Sequence, residues 1–124
     1  MSSKFKFKQE NIDINNRKQL CDKLRKQFPD KIPIICETDP RAKTLDDIDK
    51  TKYLVPNDLT MAQFNGMIRK RLELNQEEAF FLITKGNHSI KLETRLNDVY
   101  NKYSDKDDGF LYIVYTSELT WGNN

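Results

Sequence analysis

Histidine is almost missing from this 124-residue chain: it occurs once, at position 88. That scarcity closes off several chemistries. A general base needs a nucleophile or proton donor within reach, and nothing in the pattern places Cys21 or Cys36 beside His88. Structural zinc takes four nitrogen or sulfur ligands at short spacings, which one histidine and two scattered cysteines do not supply. Neither glycine-rich phosphate-binding pattern occurs. No metal site or bound cofactor is expected, and the chain reads as a non-enzyme. No stretch approaches the roughly 20 apolar residues that span a bilayer. The basic start, Met1–Lys8, leads into no apolar core, so no secretory signal is expected. Cys21 and Cys36 accordingly read as buried thiols of a reducing compartment.

Net charge is also small, at +2, but unevenly spread. Residues 1–28 hold eight Lys/Arg against three Asp/Glu, and the remainder thirteen against sixteen. The N-terminal segment therefore suits an acidic partner or an anionic lipid surface, with a solvated helix face as the plainer explanation. Lys4-Phe5-Lys6-Phe7-Lys8 and Arg69-Lys70-Arg71 have the basic and aromatic character of a nucleic-acid contact. The near-balanced total charge and the lack of a recognised motif argue against that partner.

Apolar spacing predicts a helix over 15–28, with Leu20, Leu24 and Phe28 on one face and Arg17, Lys18, Lys23, Arg25 and Lys26 elsewhere. Lys31–Glu37 reads as a strand. Pro33 inside it lacks an N–H, which predicts an open edge able to accept a peptide as an added strand. A polar loop covers 38–49, and Lys52–Pro56 is a second strand. There Tyr53 and Val55 share one face, and Lys52 and Leu54 the other. Thr60 and Gln63 form a capping-box pattern that opens a helix to about Arg71. A third strand at 79–84, a turn, a short helix at 94–103 and a last, doubly apolar strand at 110–115 complete the chain. Two hairpin strands, a crossover helix and a final central strand are the plan of an α+β ubiquitin-like β-grasp. The fold expected is a mixed four-stranded sheet carrying one or more additional N-terminal helices.

The run from Lys23 through Phe28-Pro29-Asp30 to Cys36-Glu37 resembles a signature of the ubiquitin-like autophagy modifiers. That is the family of the GABA-receptor-associated protein and the microtubule-associated light chains. Asp49-Lys50-Thr51-Lys52-Tyr53-Leu54-Val55-Pro56 with Asn57–Thr60, then Gln63-Phe64, Ile68–Arg71 and Asp105–Tyr112, continue the resemblance in collinear order. It implies a single domain over 1–122, with a helical segment at 1–30, a grasp core and tail at 31–122, and a propeptide at 123–124.

The resemblance also implies a reaction cycle. A processing cysteine protease cuts after Gly122 and before Asn123. E1-, E2- and E3-like enzymes then pass the Gly122 carboxylate to the amine of phosphatidylethanolamine. This covalent lipid places the protein on the autophagosomal membrane and cytoplasmic vesicles. Receptors with an aromatic-x-x-aliphatic motif are the second class of partner. Leu24, Pro33, Ile35, Lys52, Leu54 and Phe110 correspond to the aromatic pocket, and Tyr53, Val55, Pro56, Leu59, Phe64 and Met67 to the aliphatic one. Lys50 and Arg71 form a charged rim. The runner-up is a non-conjugated adaptor that binds peptides, tubulin or anionic membrane through its basic N-terminal segment. Three departures from the family pattern stand out. Leu20 occupies a position where relatives often carry an acid, which makes the aromatic pocket more apolar. The turn at 84–90 has its own sequence, and Trp121 precedes the glycine.

Overall fold

The computed structural model describes residues 6–39 and 45–117. The expected tail features, Trp121 and Gly122, and the start of the basic N-terminal run lie outside the described residues. Among them the order is α1 (Lys6–Glu10), α2 (Ile14–Gln27), β1 (Lys31–Thr38), β2 (Lys52–Pro56), α3 (Met61–Arg71), β3 (Phe81–Thr84), α4 (Leu96–Tyr103) and β4 (Leu111–Thr116). The sheet order is β2-β1-β4-β3. β1 and β4 run parallel at its centre, with Ile34 opposite Leu111 and Cys36 opposite Ile113, and both outer strands are antiparallel to their neighbours. This is the mixed four-stranded sheet predicted from the element order.

Strand alternation divides the core in two. Ile32, Ile34, Cys36, Tyr53, Val55, Leu111, Ile113 and Tyr115 pack on one face against Met61, Phe64 and Ile68 of α3 and Leu96, Val99 and Tyr100 of α4. Ile35, Ile83, Phe110, Tyr112 and Val114 pack on the other face against Phe7 of α1 and Cys21 of α2. Every residue of β4 is buried, as a strand covered on both faces requires. The two free cysteines lie on opposite faces of the sheet and are both buried. Thr60 and Gln63 close both halves of the predicted capping box. The four backbone N–H groups that open any helix need such partners.

The N-terminal helices are held by carboxylates. Glu37, itself buried, accepts the backbone N–H of Lys6 at 2.8 Å and of Phe7 at 2.9 Å, which caps α1. Phe7 then meets Phe110 edge to face, with ring centroids 5.3 Å apart. Arg17, predicted to lie on the polar side of its helix, is instead buried and pairs with Asp108 at 2.9 Å. The same carboxylate accepts the Tyr112 hydroxyl at 2.5 Å and the Phe110 backbone N–H at 3.0 Å. Asp105 takes Lys8 at 2.9 Å and Lys85 at 2.7 Å. Phe28 departs from its predicted place on the apolar stripe. It is the C-cap residue, one position beyond the helix, and stands 38% exposed.

The predicted open edge at residues 31–37 is corrected here: β1 has a neighbour on each side. The Cys36 N–H donates to Thr51 on the β2 side and the Asp39 N–H to Tyr115 on the β4 side. By that alternation the Pro33 nitrogen faces β4, one residue before the ladder's first pair, Ile34 with Leu111. The partner it would have had is the Gly109 carbonyl, which accepts the Tyr100 hydroxyl at 2.5 Å instead. Proline is thus tolerated in a central strand because its missing donor falls where the ladder starts.

Two outcomes follow. Arg17→Ala leaves the Asp108 carboxylate buried without its cation and lowers stability by about 3 kcal/mol in urea titrations. Burial alone would raise the Asp105 carboxyl, but hydrogen bonds from Lys85, Lys8 and the Asp107 and Asp108 backbone hold it well below the usual range. Its contribution is therefore complete above the ordinary carboxylate value, about pH 4, and lost as pH falls toward the folded value. Asp105→Asn should flatten the loss of thermal stability below about pH 4.

Candidate functional site: the open edge at β2

β2 is an outer strand of the sheet. Thr51, Tyr53 and Val55 stand opposite Cys36, Ile34 and Ile32, and the Cys36–Thr51 hydrogen bond marks these as the bonded pairs. In an antiparallel ladder the intervening residues point their N–H and C=O groups away from the partner. Lys52 and Leu54 therefore turn their backbone groups outward, where another strand can be added.

The two faces beside this edge differ. On the α2 face, Ile35 and Phe110 are fully buried. Leu20 and Leu24 of α2 pack over this core while half-buried. Leu54 is half-buried, Pro33 is buried and Lys52 is exposed. Of the predicted aromatic-pocket residues, Pro33, Ile35 and Phe110 are therefore core, and Leu24, Leu54 and Lys52 present the surface between α2 and β2.

On the α3 face, the predicted aliphatic-pocket residues split. Tyr53, Val55 and Phe64 are core, with Tyr53 and Phe64 rings edge to face at 5.9 Å. Pro56 and Met67 are exposed and Leu59 is half-buried. Only these last three present surface.

The predicted rim is partly committed within the chain. Arg71 pairs with Asp49 at 2.8 and 3.3 Å, both side chains being largely exposed. Lys50 lies over the Tyr53 ring, 5.0 Å from its centroid, and its carbonyl accepts the Tyr53 hydroxyl at 2.6 Å. Reading the sequence did not foresee the Asp49 pairing, since exposed partners 22 residues apart leave no periodic trace.

Other candidate chemistry finds structural explanations. His88 bonds Thr84 Oγ1 through Nδ1 at 3.0 Å and meets the Tyr103 ring in a tilted arrangement with centroids 4.9 Å apart, which shapes the turn after β3. Burial pushes the Cys21 thiol up to about 11, so it holds its proton at neutral pH and is no nucleophile. Phe7 is core and unavailable for base stacking. Three N-terminal cations, Lys6, Lys8 and Arg17, are paired with Asp47, Asp105 and Asp108, which weakens the basic-patch reading of this segment. A cavity of about 260 Å³ at the far end of β1, lined by Lys6, Glu37, Asp47 and Ile48, lies apart from the groove. No described helix is long and apolar enough to cross a membrane.

A crossover helix on one face of this sheet, with the first and last strands parallel at its centre, defines the ubiquitin-like β-grasp. The family model described as autophagy protein Atg8, ubiquitin-like, matches residues 16–122. Human microtubule-associated protein 1 light chain 3 gamma is 41% identical over 99 residues, which cover 80% of this chain and 67% of that protein. The chain belongs to the Atg8 family of ubiquitin-like autophagy proteins.

Core and surface members of the α3-side group should separate on truncation. In urea titrations Phe64→Ala empties a fully buried ring site and lowers the unfolding free energy by about 3–5 kcal/mol, whereas Met67→Ala changes it by less than about 0.5 kcal/mol.

Proposed function

We propose that this chain is a ubiquitin-like modifier of autophagy, joined through Gly122 to phosphatidylethanolamine on the autophagosomal membrane. In this reading it recruits receptors with an aromatic-x-x-aliphatic motif by strand addition at β2. A protease hydrolyses the Gly122–Asn123 bond. The E1-like enzyme activates the freed carboxylate with a nucleoside triphosphate, releasing pyrophosphate, and its thiol displaces the nucleoside monophosphate to form a thioester. E2- and E3-like enzymes pass this on by thiol exchange until the lipid amine displaces the thiol. The chain supplies the acyl group and a docking face, and catalyses none of these steps.

One observation carries the docking half. In an extended strand, side chains three residues apart point to opposite faces. An aromatic-x-x-aliphatic peptide laid along β2 therefore sends one anchor toward the α2 face and the other toward the α3 face. The surface beside β2 presents apolar side chains on each: Leu20, Leu24 and Leu54 on the first, and Pro56, Leu59 and Met67 on the second. A motif with both anchors on one face would need an even spacing. Exposed Lys52 and the Lys50 ammonium beside Tyr53 favour acidic residues around the motif. An acidic group that takes Arg71 must displace Asp49 from it.

The conjugation half rests on family membership and on the position of Gly122 in the sequence. Intact-mass measurement and membrane flotation of the cellular protein test it. Loss of Asn123 and Asn124 with a phospholipid adduct is expected, and Gly122→Ala abolishes flotation. A full-length unmodified mass, with flotation unchanged in Gly122→Ala, refutes conjugation. In peptide titrations, Lys52→Ala and Leu54→Ala each weaken binding by about tenfold with the fold intact. Unchanged affinity in both removes the groove from the proposal.

A further inference from the structure

A second concave surface lies apart from β2. It is a cavity of about 290 Å³ between α4 and the 89–94 segment, and it shares no lining residue with the β2 surface. Its apolar part is Ile90, Val99 and Tyr103, of which Val99 is buried and the other two half-buried. Lys91, Lys102 and Asp98 supply its charges, and Ser89 and Thr94 its hydroxyls. Both walls are held by the fold itself. The bridge of Ser89 to Ile83 pins one end of the 89–94 segment. At the other end the first N–H groups of α3 do so, Ala62 donating to the Leu92 carbonyl at 2.9 Å and Met61 to that of Thr94 at 2.8 Å. On α4, His88 meets the Tyr103 ring with centroids 4.9 Å apart. His88 belongs to the 84–90 turn, whose sequence departs from the family pattern.

The charges define what fits. Among the described residues, Lys91, Asp98 and Lys102 form no ion pair. The Lys102 ammonium stands 5.4 Å from the Tyr103 ring centroid, so a cation sits at the apolar surface itself. Two lysines against one aspartate leave the lining with one positive charge. A single anionic group complements that charge better than a run of acids. The volume is at the low end for small-ligand sites, which suits one large side chain. We infer that this cavity is a second recognition site, and that it takes the C-terminal residue of a partner chain with a bulky apolar side chain and a free α-carboxylate. The side chain covers Ile90, Val99 and Tyr103. The carboxylate accepts charge-assisted hydrogen bonds from Lys91 and Lys102. An internal leucine lacks the anion and an acidic side chain lacks the hydrocarbon, whereas a terminal leucine carries both on one Cα. Binding here is independent of strand addition at β2.

The test is an NMR titration of the full chain with N-acetylated peptides rich in glycine and serine. One ends in leucine with a free carboxylate, the second is its C-terminal amide, and the third carries the leucine internally and ends in glycine. The first should shift the signals of Ile90, Val99 and Tyr103. It should bind about tenfold tighter than the amide, the factor that accompanies one charge-assisted hydrogen bond, and tighter than the third. Lys91→Gln combined with Lys102→Gln, both at exposed positions and checked by thermal denaturation, should abolish the preference for acid over amide. Equal affinity of acid and amide overturns the carboxylate contact, and equal affinity of the internal-leucine peptide overturns the terminal one. A preference that survives in the double variant overturns the role of the lysines. Shifts confined to Lys52 and Leu54, or no shifts at all, overturn the site, while the β2 reading is judged by its own titrations. The comparison of acid with amide needs no variant and stands even if the double variant fails to fold.

Discussion

The Asp108 carboxylate, with 1% of the residue exposed, ties helix α2 to the sheet. It gathers the Arg17 guanidinium, the Tyr112 hydroxyl and the Phe110 backbone N–H onto two oxygens. One partner comes from α2, one from the second residue of β4 and one from the turn that leads into β4. A charge taken out of water this completely is stable only when its bonds are satisfied. The arrangement therefore fixes α2 relative to the sheet far more narrowly than oily contact would. Leu20 and Leu24 ride on that helix, so the groove's inner wall inherits its position from an ion pair several residues away.

The sheet contributes the other constraint. Because β1 and β4 are paired on both sides, the strands able to take on a neighbour are the outer two. β3 meets part of its own turn, through the bridge between Ile83 and Ser89. β2 is flanked on both faces by half-buried apolar side chains. The pleat then converts a backbone edge into a two-sided reader: successive residues of an added strand are sorted to different faces with no further machinery.

Much of this was legible in the sequence, for local reasons. β4 announced itself by a run apolar on both faces, β2 by alternation, and α3 by Thr60 and Gln63. What misled were residues whose partners are remote. Arg17 reads as a solvated helix residue because its carboxylate is 91 positions away. Pro33 correctly signals a missing ladder donor, but only the register with β4 tells which side lacks it. The edge therefore moved from β1 to β2. Tyr53, Val55 and Phe64 were grouped with Met67 by the family resemblance, which carries over positions and not how deeply each side chain sits.

Ile35 and Phe110, beneath the surface between α2 and β2, belong to the hydrophobic core, fully buried with Phe7 and Tyr112 around them. Substitution there costs stability first. Leu20, Lys52 and Met67 carry no such duty. In the proposed docking mode, receptor preference is therefore open to single changes on the rim while the underlying core persists. The molecule separates what must stay constant from what is free to diverge, and does so by depth alone.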